Sequence, residues 1–398
     1  AAPGLWKEIH SFYRYVEQHG RDQQLLAVDG VETGVTVRGA YLQTLMLGLC
    51  GPYQLPQNEC HQVNAFLARW AHKATLGPVT PSVDPVGHFL IDFETDHPAV
   101  PFPRDVPLHA APALRAVDAI ELARVVHDFS KRLQKGEAPR KLGLGFECIG
   151  AGCVDTLRRM LRFWGLAGHR QFSRRRLHQP LSLCVGLNAI HFFTGGQQPF
   201  TPPRSPVVIA ERAVALPDPA ALEAELSEER SVTAPRPELF RVDSRWQLRD
   251  ESAGGLSLAR SGDVGMPIRV GDLLGIQNPA LNQWRIGVVR WVKSADTQHV
   301  EVGVEMLAPQ GHPLAVRPAG PDVAPYSQAL LLAPIEALRQ PATLLVASGS
   351  CQPGQDIEMA EGDLPPRRVR TLNVVERSSA FMQVVFADVD RSDVERPE

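Results

Sequence analysis

Between Ser244 and Met306 the chain breaks into short apolar segments separated by turn residues. They are Ser244–Leu248, Arg269–Ile276, Trp284–Val292 and Val300–Met306. Segments of this length, rich in β-branched residues and punctuated so regularly, are suited to a run of antiparallel strands. Among them stands Asp250-Glu251-Ser252-Ala253-Gly254-Gly255, a D-x-S-x-x-G pattern followed at once by strand-like sequence. It sets an anion, a hydroxyl and a bare backbone together at the mouth of a β-barrel, where a planar, phosphate-bearing ligand can dock. Taken alone, the same residues also describe a strand-entry turn in which Asp250 and Ser252 bond local backbone amides.

The rest of the chain has a different texture. A length of 398 residues favours two or three domains. Leu5, Trp6, Ile9, Phe12, Tyr13 and Val16 recur at helical spacing, with Gly20 as a stop. Val63, Phe66, Leu67 and Trp70 form a second such stripe, and Val154 to Trp164 a third helix. Asp118 and Glu121 read as a capping box that opens a helix carrying Leu122, Val125, Val126 and Phe129. His88–Phe93 reads as an isolated strand. At about Arg170 the periodicity changes, and Pro180–Phe193 reads as one long extended strand. Gln197–Phe240, rich in Pro, Ala and Glu, reads as an insertion with one short helix at Pro219–Glu229. Pro318–Pro325 reads as a linker, and Gln328–Val389 holds further strands, Ala342–Val346 and Phe381–Phe386 among them. The expected fold class is α+β and multi-domain. A mainly helical domain covers 1–168, and a six-stranded antiparallel β-barrel covers 169–317 with insertion 197–240. A smaller C-terminal β-unit covers 326–390, with a second barrel as the open alternative. No internal repeat stands out.

Composition narrows the function. The net charge is −3, so the chain lacks the basic excess of a polynucleotide binder, and any anion site must be local. One local concentration exists: Arg170, Arg174, Arg175 and Arg176. Arginine presents a fork of donors that fits the O6/N7 edge of guanine or a phosphate, and it stacks on a base. By itself the cluster equally describes a solvated helix exit.

Cys50, Cys60, Cys148, Cys153, Cys184 and Cys351 are too sparse for a disulfide framework and read as reduced thiols. No apolar run approaches the ~18 residues of a membrane span, and no signal-peptide pattern opens the chain. The expected location is therefore cytoplasmic, without membrane insertion. Cys148, Cys153 and Cys60-His61 lack the paired short spacings of a zinc site. Gly143–Gly145 and Gly150–Gly152 lack the remainder of a phosphate-binding loop. Ser348-Gly-Ser350 is not a nucleophile elbow, and His88, His97, His109, His127 and His191 are scattered singly. The expectation is a non-enzyme with no metal and no cofactor.

Together, the arginine-rich lead-in, the D-x-S-x-x-G turn, Gly271-Asp-Leu-Leu, Gly287-Val-Val-Arg-Trp and Val302-Gly-Val-Glu, in that order, resemble the PilZ domain. That family is a six-stranded barrel that binds the bacterial second messenger cyclic di-GMP. The resemblance covers about residues 170–196 and 244–310. It implies that Arg174 or Arg175 grips guanine and phosphate. Arg170-Gln-Phe-Ser-Arg174 supplies an R-x-x-x-R pair, and Arg175 or Arg176 adds a further contact. Asp250 accepts from a guanine N–H or bonds an arginine. Ser252 contacts the ligand or holds the turn, and Gly254 and Gly255 line the approach, Gly255 by lacking a Cβ. One departure stands out: counted back from Pro180, the second arginine position falls on His178 or Gln179.

The function so implied is a non-catalytic cyclic di-GMP receptor that acts on a downstream protein in bacterial motility, adhesion or exopolysaccharide control. The alternative is a degenerate PilZ scaffold that binds no nucleotide and works through protein contacts. A single-stranded RNA binder using Trp284 and Trp291 is the weaker third reading, because the charge opposes it.

Overall fold

The structure is a computed structural model. It describes residues 3–389 except 28–34, 80–85, 104–111, 145–150, 165–174, 204–239, 253, 263–264, 280, 282, 295–297, 321–323, 335–339 and 363. The chain divides into two compact units, Ala1–Gln171 and Phe172–Glu398. Both the insertion helix expected at 219–229 and the arginines Arg170 and Arg174 lie outside the described residues.

The first unit runs α1 (Leu5–Gln18), β1 (Leu25–Leu26), β2 (Val35–Thr36), α2 (Val37–Leu49), α3 (Glu59–Trp70), β3 (Thr75–Pro78), β4 (His88–Asp92), β5 (Val100–Pro101), β6 (Leu114–Asp118), α4 (Ile120–Gln134) and α5 (Ala151–Trp164). The apolar stripes of its helices converge on one core around Leu45, Met46, Leu67, Leu122, Met160 and Trp164. The strand expected to stand alone at His88 is instead a middle strand of a four-stranded sheet, order β3-β6-β4-β5. Its partners escaped the pattern because Thr75-Leu-Gly-Pro78 carries strand breakers and Leu114–Asp118 runs almost directly into α4. The cap of α4 also differs in detail. Asp118 Oδ1 accepts from Ile120 N at 2.8 Å, while Glu121 pairs with Arg124 instead of closing a box. Cys153 is disulfide-bonded, which corrects the expectation of reduced thiols throughout; Cys50, Cys60, Cys184 and Cys351 are free. A lone bridge leaves no trace in cysteine density, the quantity on which that expectation rested.

The second unit begins with β7 (Arg175–Val185), α6 (Leu187–Thr194), β8 (Asp243–Ser252), β9 (Gly255–Ser261), β10 (Leu273–Asn278), β11 (Gln283–Ser294) and β12 (His299–Ala308). These strands close into a barrel, order β10-β11-β12-β9-β8-β7. The long strand expected over 180–193 stops at Val185. Gly186 then takes φ 92°, a value that favours glycine, and α6 follows. The periodicity misleads here because Leu187, Ala189, Ile190, His191 and Phe192 are all buried. A short helix buried on most sides shows no amphipathic stripe.

The chain continues as β13 (His312–Pro318), β14 (Ser327–Leu332), β15 (Thr343–Ala347), β16 (Asp356–Ala360), β17 (Arg367–Arg377) and β18 (Phe381–Asp388). They close a second barrel, order β13-β14-β15-β18-β17-β16. It starts at His312, so this unit is longer than the 326–390 expected, and the first barrel ends at Ala308. In both barrels the strands lie in the order first, second, third, sixth, fifth, fourth. Both have register shifts in the fifth–sixth pair, at Ile286/Gly287 and Val289/Trp291 in one and at Thr371/Asn373 and Val374/Glu376 in the other; the first barrel has further shifts in the β7–β8 and β8–β9 pairs. The second barrel is a topological repeat of the first that the residues themselves do not announce.

The barrels pack side by side. Cys184, Leu273, Ile286 and Val288 meet Leu330, Leu332, Leu345 and Phe381, with Leu187 and Ile190 of α6 in the same cluster. Arg290 of β11 forks onto Glu376 of β17, with Nη2–Oε2 at 2.8 Å. His191 Nε2 donates to Leu314 O at 3.2 Å, and Gln328 Nε2 donates to Nδ1 at 3.4 Å. In the first unit Tyr41 OH donates to His10 Nδ1 at 2.7 Å, while His10 Nε2 donates to His97 O at 2.8 Å. Both rings are thus held neutral, and burial pushes both pKa values down. Below about pH 6.5 the unfolded chain takes up protons that the folded chain refuses. The stability these rings contribute is full above that value and is lost as pH falls through the depressed folded values. Urea unfolding should therefore show lower stability at about pH 5 than at about pH 7.5, with part of the slope removed in His191→Gln. A slope unchanged in that variant would contradict the role given to His191.

Candidate functional site at the rim of the first barrel

One end of the first barrel gathers the chemistry. Because β7 and β8 run antiparallel, the start of one meets the end of the other: Arg175 lies opposite Glu251, and Arg176 opposite Asp250. Directly opposed residues share a face with Cβ atoms about 4.5–5.5 Å apart. Beyond them Leu177 and His178 together oppose Arg249, a bulge that turns the end of β7 relative to the ladder below it. A second irregularity, between Leu248 and Asp250 against β9, puts Asp250 opposite Ser257. Arg175 and Arg176 are exposed, and Asp250, Glu251 and Ser252 are half-buried.

The turn itself is tight, with Ser252 paired to Gly255. Ser252 Oγ donates to Gly255 O at 3.2 Å, so this hydroxyl holds the turn. Gly254 O accepts from Met306 N of β12 at 3.1 Å. A Cβ on Gly255 would lie 2.5 Å from Val304 O. The bare α-carbon therefore has a reason within the fold, the close approach of β9 to β12, besides any approach to a ligand.

The far end of β8 is an anchor. Burial pushes Asp243 up, but Arg245 and Arg260 outweigh it and hold the carboxyl below its ordinary range. Arg260, itself buried, stacks over Trp246 at 5.2 Å. The strand is pinned there and presents its other end to solvent.

Of the residues expected to bind, Arg175, Arg176, Asp250, Ser252, Gly254 and Gly255 meet at this rim; Arg170 and Arg174 lie outside the described residues. His178 and Gln179 are exposed on the same end of β7. Sequence reasoning overlooked one pair, Glu251 with Arg285 of β11, at 2.9 Å. Glu251 sat in plain view as an unassigned position of the motif, and strand alternation back from Val289 would have pointed to Arg285. Trp284 and Trp291 serve packing. Trp284 stacks on Phe193 of α6 at 5.1 Å, and Trp291 covers Gly303 so closely that a Cβ there would overlap the indole. Neither ring offers the open platform that base stacking needs. Among the described residues no group of three or more His, Cys, Asp or Glu is placed to hold a metal ion. None of the described helices is long and apolar enough to cross a membrane.

Residues 88–206 and 217–313 match the family model for the cyclic-di-GMP receptor FimW, middle PilZ domain. The chain belongs to the FimW family. Residues 1–81 match the N-terminal domain of that receptor, and residues 314–389 match the FimW C-terminal beta-barrel domain. The cyclic-di-GMP receptor FimW of Pseudomonas aeruginosa is 24% identical over 394 residues, covering 89% of this chain and 63% of the relative. The chain thus spans less than two thirds of that relative's length. No solved structure matches.

Within the FimW family frame, Gly255 permits a clear test of the packing argument. Gly255→Val should lower the melting temperature, with a cost of roughly 1–3 kcal/mol for forced overpacking. An unchanged melting curve would show that β9 and β12 can separate freely and that the bare α-carbon serves the ligand alone.

Proposed function

We propose that this chain is a non-catalytic receptor for cyclic di-GMP, working in the cytoplasm and passing the signal to a downstream protein in motility, adhesion or exopolysaccharide control. One observation carries the reading: the β7–β8 register sets Arg176 against Asp250, two residues from the Ser252–Gly255 turn. A cyclic dinucleotide offers guanine edges and phosphates. The arginine fork fits either one, and Asp250 supplies the acceptor that a guanine N–H requires. The name of the Pseudomonas aeruginosa relative points to the same ligand. The rim recognises rather than reacts. The turn hydroxyl, Ser252 Oγ, donates to a carbonyl, whereas an activated nucleophile would donate to a base.

Isothermal calorimetry with cyclic di-GMP tests this directly. The expected result is a dissociation constant in the micromolar range or tighter. Arg176→Ala and Asp250→Ala should each weaken it about ten- to a hundred-fold, the loss of a charge-assisted contact. No heat from a chain that circular dichroism shows to be folded would select the alternative, a PilZ scaffold that acts through protein contacts alone. Exposed His178 and Gln179, at the position where the resemblance leads one to expect an arginine, are what favour that alternative.

A further inference from the structure

The rim has two sides. Asp250 and Arg176 pair on one face of the ladder, whereas Glu251 lies opposite Arg175 on β7 and opposite Leu256 on β9. Leu256 belongs to the interior of the first barrel. Arg285 lies opposite Ile276, another interior residue, and alternates with Gly287 and Val289 on the inward series of β11. Ile286 and Val288, the intervening residues, belong to the core shared with the second barrel. Arg175, Glu251 and Arg285 therefore share the inward-facing series and collect at the barrel mouth: two cations around one anion. The Arg285 and Glu251 side chains are 30% and 37% exposed. An ion pair that wet adds little to stability, yet a guanidinium so placed remains within reach of an incoming anion.

We propose that Arg285 is a ligand-binding arginine of this site, held by Glu251 in the free protein and transferred to a ligand phosphate on binding. The inference rests on the cyclic di-GMP reading and adds a residue, and a competitor, to it. A cyclic dinucleotide carries two phosphates, and the Arg176–Asp250 side of the rim can serve only part of that charge. The mouth offers a second cationic pair, Arg175 and Arg285, provided that Glu251 lets go. Arg285 then exchanges one anion for another, and its charge stays compensated throughout. Glu251 bears the cost. It loses its partner and stands beside a like charge, which makes it a brake on affinity.

This exchange has a signature that a purely structural ion pair lacks. Breaking a structural pair from either side moves affinity in one direction. Exchange requires opposite directions: Arg285→Gln removes a ligand contact, whereas Glu251→Gln removes a competitor. The full chain and the variants Arg285→Gln, Arg285→Lys and Glu251→Gln are titrated with cyclic di-GMP by calorimetry at low and high salt, with melting temperature as the control for folding. Arg285→Gln should bind about ten- to a hundred-fold more weakly and lose part of the salt dependence. Arg285→Lys should fall between it and the unaltered chain, because the charge remains without the fork. Glu251→Gln should bind more tightly than the unaltered chain. If the Arg285 and Glu251 variants weaken binding together, or leave it unchanged while the unaltered chain binds, the exchange is wrong and the receptor reading stands. If the folded, unaltered chain binds nothing, both fall.

Discussion

The antiparallel ladder between β7 and β8 is the constraint on which the second unit depends. β7 pairs with β8 on one side and with β10 on the other, so it is the strand that closes the barrel. Without it the sheet would be left with unpaired edges. The ladder also joins sequence that lies far apart, since α6 and residues 195–242 intervene between the two strands. Leu181 against Trp246 in the interior fixes its register, and the Ser182 and Ser244 hydroxyls meet across it at 2.9 Å. Because side chains alternate with period 2, a slip of one residue would turn the apolar series outward. The core and the bulge at Leu177 and His178 together settle which arginine faces which acid. Continued without the bulge, the register of Leu181 against Trp246 would set Arg176 opposite Glu251; the extra residue on β7 brings it opposite Asp250 instead.

The two barrels show how much of the chemistry is separable from the scaffold. Their strand order is the same, and both carry irregularities in the fifth–sixth pair, to which the first barrel adds those of β7–β8 and β8–β9. Their rims differ. In the first, the second and third strands are joined by the short Ser252–Gly255 turn, and the first strand opens on two arginines. In the second, the corresponding connection is residues 333–342, and the first strand opens on His312. The outer walls that meet are alike in being apolar, with α6 in the same cluster. Both copies of the architecture contribute a wall for packing, and the first also carries the rim where Arg175 and Arg176 face Glu251 and Asp250, in keeping with the rule that function resides in sites placed on folds.

Legibility followed the physics of each signal. Strands rich in β-branched residues with turn residues at their ends, such as Trp284–Val292, declared themselves, and so did the Asp250–Gly255 turn. The convergence of Arg175 and Arg176 on that turn could be expected from the family resemblance. Helix α6 could not, because burial on most sides erases the period that separates helix from strand. The four-stranded sheet of the first unit was hidden by strands of two to five residues, some carrying Gly or Pro. The start of the second barrel was obscured because His312–Pro318 lies only a few residues beyond β12 and reads as its continuation. The place of Gly255 against Val304, and of Arg285 against Glu251, belongs to distances that only the closed barrel creates.

The central claim is that the β7–β8 end of the first barrel is the ligand surface. Hydrogen exchange with and without saturating cyclic di-GMP tests it by location. The account predicts slowed exchange in Arg175–His178 and in the Ser252–Gly255 turn, with the corresponding end of the second barrel, around His312 and Leu332, unchanged. Protection confined to the second barrel or to the helices of the first unit, with Arg175–His178 exchanging as before, would contradict it.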